Sequence, residues 1–328
     1  MTTPVAPVAR AAPDSSVAAS AVAAHSDVPP TRGYVTALMF AATALTWGSS
    51  YLMMKYALVG ISAGQVAVGR ILLGALTLIA IMTITRRPWP RSRALWGHLT
   101  VVGIFQGIVP FSLFAWAGHY LPTGLSAILN GATPMFTALF TAIAVPAAAL
   151  RGRQWFGIGL GAIGVMIVMG LWGVITDPAF GDSLVAQLAV IGATISYGVG
   201  FTYLRRMVTG RYRCDAVTLA SVQVTMGAVA ALAVSPVIAW GPMNLTPSVV
   251  ASMLVLGCIG TGVAFTWNMR VVMTWGPVAA STVTYLQPVV GVGLGMLVLG
   301  ETFAWYQGLG AVVVIAGVFL TQRPVRVR

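Results

Sequence analysis

"LSAILNGATPMFTALF", residues 125–140, has no charged residue and is apolar on nearly every face, with Asn130 and Pro134 near its centre. No strand of a membrane barrel reads this way, because barrel strands alternate polar and apolar residues. A helix surrounded by lipid needs roughly 20 mostly apolar residues, and this one extends over 122–144. Outward from it, similar runs recur at 36–59, 66–84, 96–117, 154–174, 184–204, 216–239, 248–269, 275–299 and 303–321. The whole chain is 58% hydrophobic and 7% charged, with a mean hydropathy of +0.90, against about 25% charged residues in soluble domains. The sequence therefore predicts an all-α integral membrane protein of ten transmembrane helices.

The run at 125–140 also has a counterpart. A gapless shift of 154 pairs Gly103 with Gly257, Val109 with Val263, Phe111 with Phe265 and Pro134 with Pro288. A shift of 150 matches Trp47-Gly48 with Tyr197-Gly198 and Lys55 with Arg205. At 153, Arg70 and Gly74 meet Gln223 and Gly227, while Gln154, Gly157 and Gly164 meet Gln307, Gly310 and Gly317. Shifts that change only between helices are what related units with loop insertions produce. Five helices per unit is an odd number, so the second unit enters the membrane from the opposite side. Two inverted five-helix repeats, 34–175 and 183–321, mark many secondary transporters, which hold substrate near the midplane between the repeats.

Charge placement gives the orientation. All of the 18 basic residues except Lys55 and Arg70 fall at or beyond one face: Arg10 and Arg32, the clusters around 86–93, 151–153 and 205–213, Arg270, and Arg323, Arg326 and Arg328. Basic loops stay in the cytoplasm, so both termini are expected there and the protein in the cell membrane. A net charge of +12 does not point to nucleic acid, since the charges lie between spans and not on a soluble face. Residues 1–33, rich in Ala, Pro, Ser and Val, read as a disordered cytoplasmic tail without a signal-peptide plan, and 322–328 as a short basic one. Cys214 and Cys258 suggest no disulfide framework, and His25, His98 and His119 have no metal-ligand spacing. No cofactor is called for; the expected partners are a small-molecule substrate and the lipid bilayer.

Several stretches carry a family resemblance: "LTWGSSYLMMKYAL" at 45–58, "GRILLGALTL" at 69–78, the run at 125–140, "ASTVTYLQPVVGVGLGMLVLGET" at 280–302 and "QGLGAVVVIAGVFL" at 307–320. Together they resemble the EamA-type family of the drug/metabolite transporter superfamily over about 36–321. The resemblance implies ten helices as two repeats around a central cavity, exporting small metabolites, often amino acids or related compounds. One departure is Gly300-Glu301, whose aligned place in the first repeat is near Ala148.

Candidate residues follow from depth and chemistry. Near the midplane stand Trp47 and Tyr197, Asn130 and Pro134, and Thr284, Tyr285, Gln287 and Pro288. A proline inside a membrane helix frees a carbonyl, and such breaks line sites; aromatic walls with a few hydrogen-bonding groups suit small amphipathic molecules. Trp47, Tyr51 and Lys55 are spaced i, i+4, i+8 on one helix face. Helix packing is the bland alternative for each of these residues. Gln106, Asn268 and Trp116 are secondary candidates.

Lys55, with Arg205 as its inverted mate, reads as an interface anchor that snorkels toward water. Arg70, about four residues into its span and toward the outer end, either faces the cavity, where a guanidinium grips a carboxylate as a fork, or pairs with Glu301. Glu301 itself suits the N-terminus of the last helix. No Asp, Glu or His falls at mid-membrane, so no proton-relay carboxylate is visible. An alternating-access exporter is the leading reading and no enzyme activity is expected. A membrane enzyme for lipid-linked substrates would need a reactive cluster, a sensor or scaffold a folded soluble domain, and a channel a repeated polar filter.

Overall fold

The computed structural model describes residues 33–145, 150–173 and 180–322. Of the tails read from sequence at 1–33 and 322–328, all but Gly33 and Gln322 lie outside the described residues, as does the place near Ala148. Residues Met1–Val35 and Thr36–Arg328 form two units, and the packing and the cavity described below belong to the second.

Helices α1 (Gly33–Leu58), α2 (Ala63–Ile84), α3 (Arg93–Ala117), α4 (Thr123–Ala144) and α5 (Gly152–Met169) come first. Then follow α6 (Phe180–Met207), α7 (Ala216–Ile238), α8 (Pro247–Trp275), α9 (Pro277–Leu299) and α10 (Trp305–Gln322). No strand occurs among the described residues. Eight helices, α2 to α9, are long and apolar enough to cross a membrane, and α10 is a shorter apolar helix.

Their starts are written locally. Ser62 caps α2 and closes a capping box with Gln65, Ser92 caps α3, Asp215 caps α7, and Thr246 caps α8 just ahead of Pro247. Each supplies an oxygen to an amide that the first turn leaves unpaired. The Ser62 cap starts α2 at Ala63, three residues earlier than the apolar run suggested. At the other end of the chain, α8 continues through Arg270 to Trp275, so Arg270 is helical and not in a loop. Nothing interrupts the backbone ladder until Gly276, whose φ of 88° an L side chain resists.

Four helices are irregular along their length. In α3, Ile104–Ile108 winds as a π-helix, and in α8 so does Val255–Val263. Helix α4 is interrupted at Gly131-Ala132 and resumes at Thr133-Pro134; α9 tightens to a 3₁₀ turn at Thr282–Tyr285 and resumes at Gln287-Pro288. Proline at the second position of each new segment removes an amide that would have no partner there.

Packing rests on small residues, as expected where lipid supplies no hydrophobic drive between helices. A Cβ on Gly48 would meet the Val290 Cβ of α9 at 2.6 Å, and one on Gly198 the Phe136 Cβ of α4 at 2.9 Å. Gly74 abuts Thr261 and Gly257 on α8, Gly103 abuts Gly227 on α7, and Gly164 of α5 faces Val314 and Gly310 of α10. Burial is inverted relative to a soluble protein. Leu38, Leu76, Val229 and Leu297 are exposed, whereas Gln106, Asn130, Gln187, Gln223 and Gln287 are buried. Such a surface suits lipid, and such an interior is built to hold polar groups.

Candidate functional site

A cavity lies at the irregular segments, enclosing about 570 Å³ between its atoms including the mouth, with walls from α1, α2, α3, α4, α6, α8 and α9. Of the residues singled out in the sequence, Trp47, Tyr51, Arg70, Asn130, Tyr197 and Gln287 line it, and so do Gln106 and Thr284. Tyr285 packs instead against the cluster of Ala132, Met135, Val314 and Val318. Pro134 and Pro288 are buried immediately after cavity-lining Thr133 and Gln287. Asn268 is buried outside the lining, and Trp116 lies partly exposed with its ring 5.1 Å from that of Tyr120.

One amide organises the polar wall. Gln287, 2% exposed, places its Oε1 at the restart of α9, where it accepts from Asn130 Nδ2 at 2.7 Å and from Tyr51 Oη at 3.2 Å. Asn130 Oδ1 in turn accepts from Thr133 Oγ1 at 2.9 Å. The network ties α1, the break in α4 and the break in α9 together. A buried donor or acceptor left unmade costs about 1–3 kcal/mol, so this arrangement holds the two broken helices in register.

Aromatic rings form the other wall. The Trp47 indole N–H donates to the Gly260 carbonyl at 2.8 Å, inside the π-helical part of α8, and its ring meets Phe265 edge-on at 5.5 Å. Tyr51 stands 5.6 Å from Phe114, and Phe114 stands 6.2 Å from Tyr197. Edge-on and tilted pairs of this kind are favourable and stiff.

Arg70 is the charged member of the lining. It occupies the eighth position of α2, roughly 10 Å along the axis from Ala63, and is only 7% exposed, so it does not snorkel from the outer end of its helix. Its Nε donates to Thr261 Oγ1 at 2.9 Å, and the guanidinium carbon lies 3.8 Å from the Phe111 ring centroid. The pairing with Glu301 weighed in the sequence is absent. Among the described residues no carboxylate comes within 4 Å of Arg70. A desolvated cation–π contact returns about 2 kcal/mol and a hydrogen bond to a charged group about 1.5–3 kcal/mol. Together they offset an intramembrane insertion cost of roughly 2.5–3.5 kcal/mol, yet they leave the Nη hydrogens without acceptors among the described residues.

Glu301 works elsewhere. Gly300, at φ 65°, ends α9 and turns the chain so that the Glu301 carboxylate accepts from the Thr123 and Gly124 amides at 2.9 and 3.3 Å. It therefore caps α4, not the helix that follows it, and negative charge is favourable at that N-terminus. Lys55, half-buried, interacts with Glu301 across more than 4 Å, and Arg205 is exposed at the end of α6. Sequence reading missed Ser50, Met54, Phe111, Phe114, Thr133, Phe201 and Phe265 as cavity walls; Phe111 and Phe265 were visible only as a repeat pair. Among the described residues no three His, Cys, Asp or Glu side chains gather as a metal site.

Comparison with known proteins agrees with this architecture. Residues 35–170 and 184–323 each match the sequence model of the EamA-like transporter family. The "Uncharacterized inner membrane transporter YedA" of Escherichia coli strain K12 is 25% identical over 279 residues, 84% of this chain and 87% of that one. An "Uncharacterized transporter" of Archaeoglobus fulgidus is 23% identical over 87% of this chain and 96% of its own. A solved structure described only as "Crystal structure of protein" superposes with a TM-score of 0.61 at 17% identity, covering 88% of this chain and 98% of its own, and so shares the fold. The two family matches span most of the sequence, and the protein belongs to the EamA-like transporter family of multi-pass membrane proteins.

Proposed function

We propose that this protein is a secondary carrier of the cytoplasmic membrane that exports small amphipathic metabolites by alternating access through the cavity around Gln287. In this reading α1 and α10 cross the membrane with the other eight helices, both termini are cytoplasmic, and α1–α5 and α6–α10 are inverted repeats.

The observation that carries it is the reciprocity of contacts around the cavity. Gly48 rests on Val290 and Gly198 on Phe136; the shifts that match Gly48 with Gly198 also match Phe136 with Val290. Gly74 rests on Gly257 and Gly103 on Gly227, again with partners exchanged by the same shifts. The π-helical stretch of α3 maps onto that of α8, and the break in α4 onto the break in α9. Two units that pack by one recipe give two packings of similar energy, which is the bistability that alternating access needs. The inner-membrane name of the Escherichia coli relative supports the location.

Two experiments test it. Metabolites released by cells overexpressing the protein, compared with a deletion strain, identify candidates for flux in proteoliposomes; absence of substrate-dependent flux across a broad metabolite panel contradicts a carrier. For orientation, Cys214 lies between α6 and α7 and is partly buried. Burial, and then the neighbouring Asp215 carboxylate, push its thiol above the usual range, so labelling is slow at neutral pH and faster in alkali. An impermeant thiol reagent is expected to reach it only from the cytoplasmic side.

A further inference from the structure

The donor and acceptor inventory of the cavity is lopsided. Of the amide oxygens on its wall, Gln287 Oε1 takes two hydrogen bonds and Asn130 Oδ1 takes one, and no acceptor there carries a negative charge. Its charged donors are open, because Arg70 uses only Nε–H, on Thr261. Among the described residues no carboxylate lines the cavity. A ligand's ammonium would meet a like charge with no carboxylate to offset it, whereas a ligand's carboxylate would meet the unused edge of a planar guanidinium, the geometry of a two-pronged ion pair. Aromatic rings, among them Trp47, Phe114 and Phe265, make up much of the remaining lining and favour a flat apolar body.

We infer that the cavity takes small monocarboxylates with a flat apolar body and no fixed positive charge, held by Arg70, in preference to zwitterions or amines. This rests on the carrier reading for its cellular meaning, but the binding itself does not. The ligand supplies the counter-charge that Arg70 lacks, and so neutralises a cation already buried beside Phe111. An amine adds a second unpaired charge to the same desolvated space, which is costly. A zwitterion gains at its carboxylate and loses at its ammonium.

Phenylacetate, phenylalanine and phenethylamine share a ring and differ in charge, so they separate these cases. Binding of each to the purified full-length protein in detergent is read by tryptophan fluorescence, with Trp47 in the wall, and by thermal shift. The wild type is expected to bind phenylacetate at least tenfold more tightly than either of the others. Arg70→Gln is expected to weaken phenylacetate at least tenfold and Arg70→Lys by less, each variant first checked for a monodisperse elution and a cooperative melt. The comparison of three ligands on the wild type stands even if a variant does not fold.

Equal or tighter binding of phenylalanine or phenethylamine, no binding of phenylacetate, or undiminished binding by a folded Arg70→Gln protein overturns the inference. Arg70-dependent binding of phenylacetate with no counterflow in proteoliposomes sinks the carrier reading and leaves the binding class standing. Flux of amines or zwitterions without carboxylate binding does the reverse.

Discussion

The Arg70 guanidinium lies 3.8 Å from the centre of the Phe111 ring, with no carboxylate within 4 Å among the described residues. An aromatic face thus replaces the counter-ion that a buried arginine ordinarily requires. Replacing Phe111 by Leu keeps an apolar side chain but removes the ring quadrupole. The expected loss includes about 2 kcal/mol of cation–π energy and is measured as a lower melting temperature in detergent. In an Arg70→Gln background the same substitution is expected to cost about 1–2 kcal/mol less, since no cation remains to be held. Equal losses in both backgrounds contradict the coupling.

Glu301 joins the α9–α10 turn to the start of α4, 178 residues earlier in the chain. Glu301→Ala leaves two amides of that first turn without acceptors, and the loss of charge and bonds is expected to cost about 1–2 kcal/mol. Glu301→Gln, which retains one acceptor oxygen, is expected to fall between the two. Unchanged melting of the Ala variant shows that water replaces the carboxylate at no cost.

Glycines of one helix separate packing from propensity. A Cβ on Gly164 would meet the Val314 amide nitrogen at 2.6 Å, while one on Gly159 would meet nothing within 4 Å. Gly164→Ala is expected to lower stability by about 1–3 kcal/mol through overpacking of α5 on α10. Gly159→Ala is expected to leave it unchanged or raise it by up to about 1 kcal/mol, because alanine is the better helix former. Similar melting of the two variants would show that α5 and α10 do not pack this closely.

Asp215 gives the structure an acid limit at one loop. Burial alone would raise its carboxyl, but the Thr218 amide and hydroxyl and the Arg87 guanidinium at 2.9 Å outweigh that and hold it below the usual carboxylate value. A depressed carboxyl stabilises the fold fully above its unfolded value of about 3.9 and loses that contribution as pH falls through the folded value. Asp215→Asn retains an N-cap oxygen and loses the charge, so its melting temperature is expected to depend less on pH below about 4. The ion pair, being partly exposed to solvent, contributes only about 0.5 kcal/mol. An acid slope identical to that of the wild type assigns the acid sensitivity to other groups.

Much of the helix layout was legible because lipid imposes one rule on long stretches: the apolar runs end within a few residues of the caps at Ser62, Ser92 and Asp215. Residues of the candidate site stood out where polarity contrasts with surroundings, as for Asn130 and Gln287, or where helix breakers stand inside a span, as for Pro134 and Pro288. Phe111, Phe114 and Phe265 carried no such contrast, since an aromatic residue in an apolar helix reads alike whether it faces lipid, a neighbour or a cavity. Of the two alternatives weighed for Arg70 the side chain takes the cavity-facing one, and it stands about one turn deeper than the apolar run suggested because α2 begins at Ala63. The attachment of Glu301 to α4 was out of reach, since a cap supplied across 178 residues leaves no local pattern.

Alternating access makes one demand that needs no knowledge of the substrate: a cavity residue must be reachable from each side of the membrane in turn. Ser50 lines the cavity and its hydroxyl bonds back to the Thr46 carbonyl at 3.0 Å, so Ser50→Cys is a small change. With Cys214 and Cys258 replaced by serine, the single thiol is probed by an impermeant methanethiosulfonate reagent in right-side-out and in inverted vesicles. Labelling in both preparations is the expected result. Labelling confined to one face in both contradicts a carrier that opens this cavity alternately.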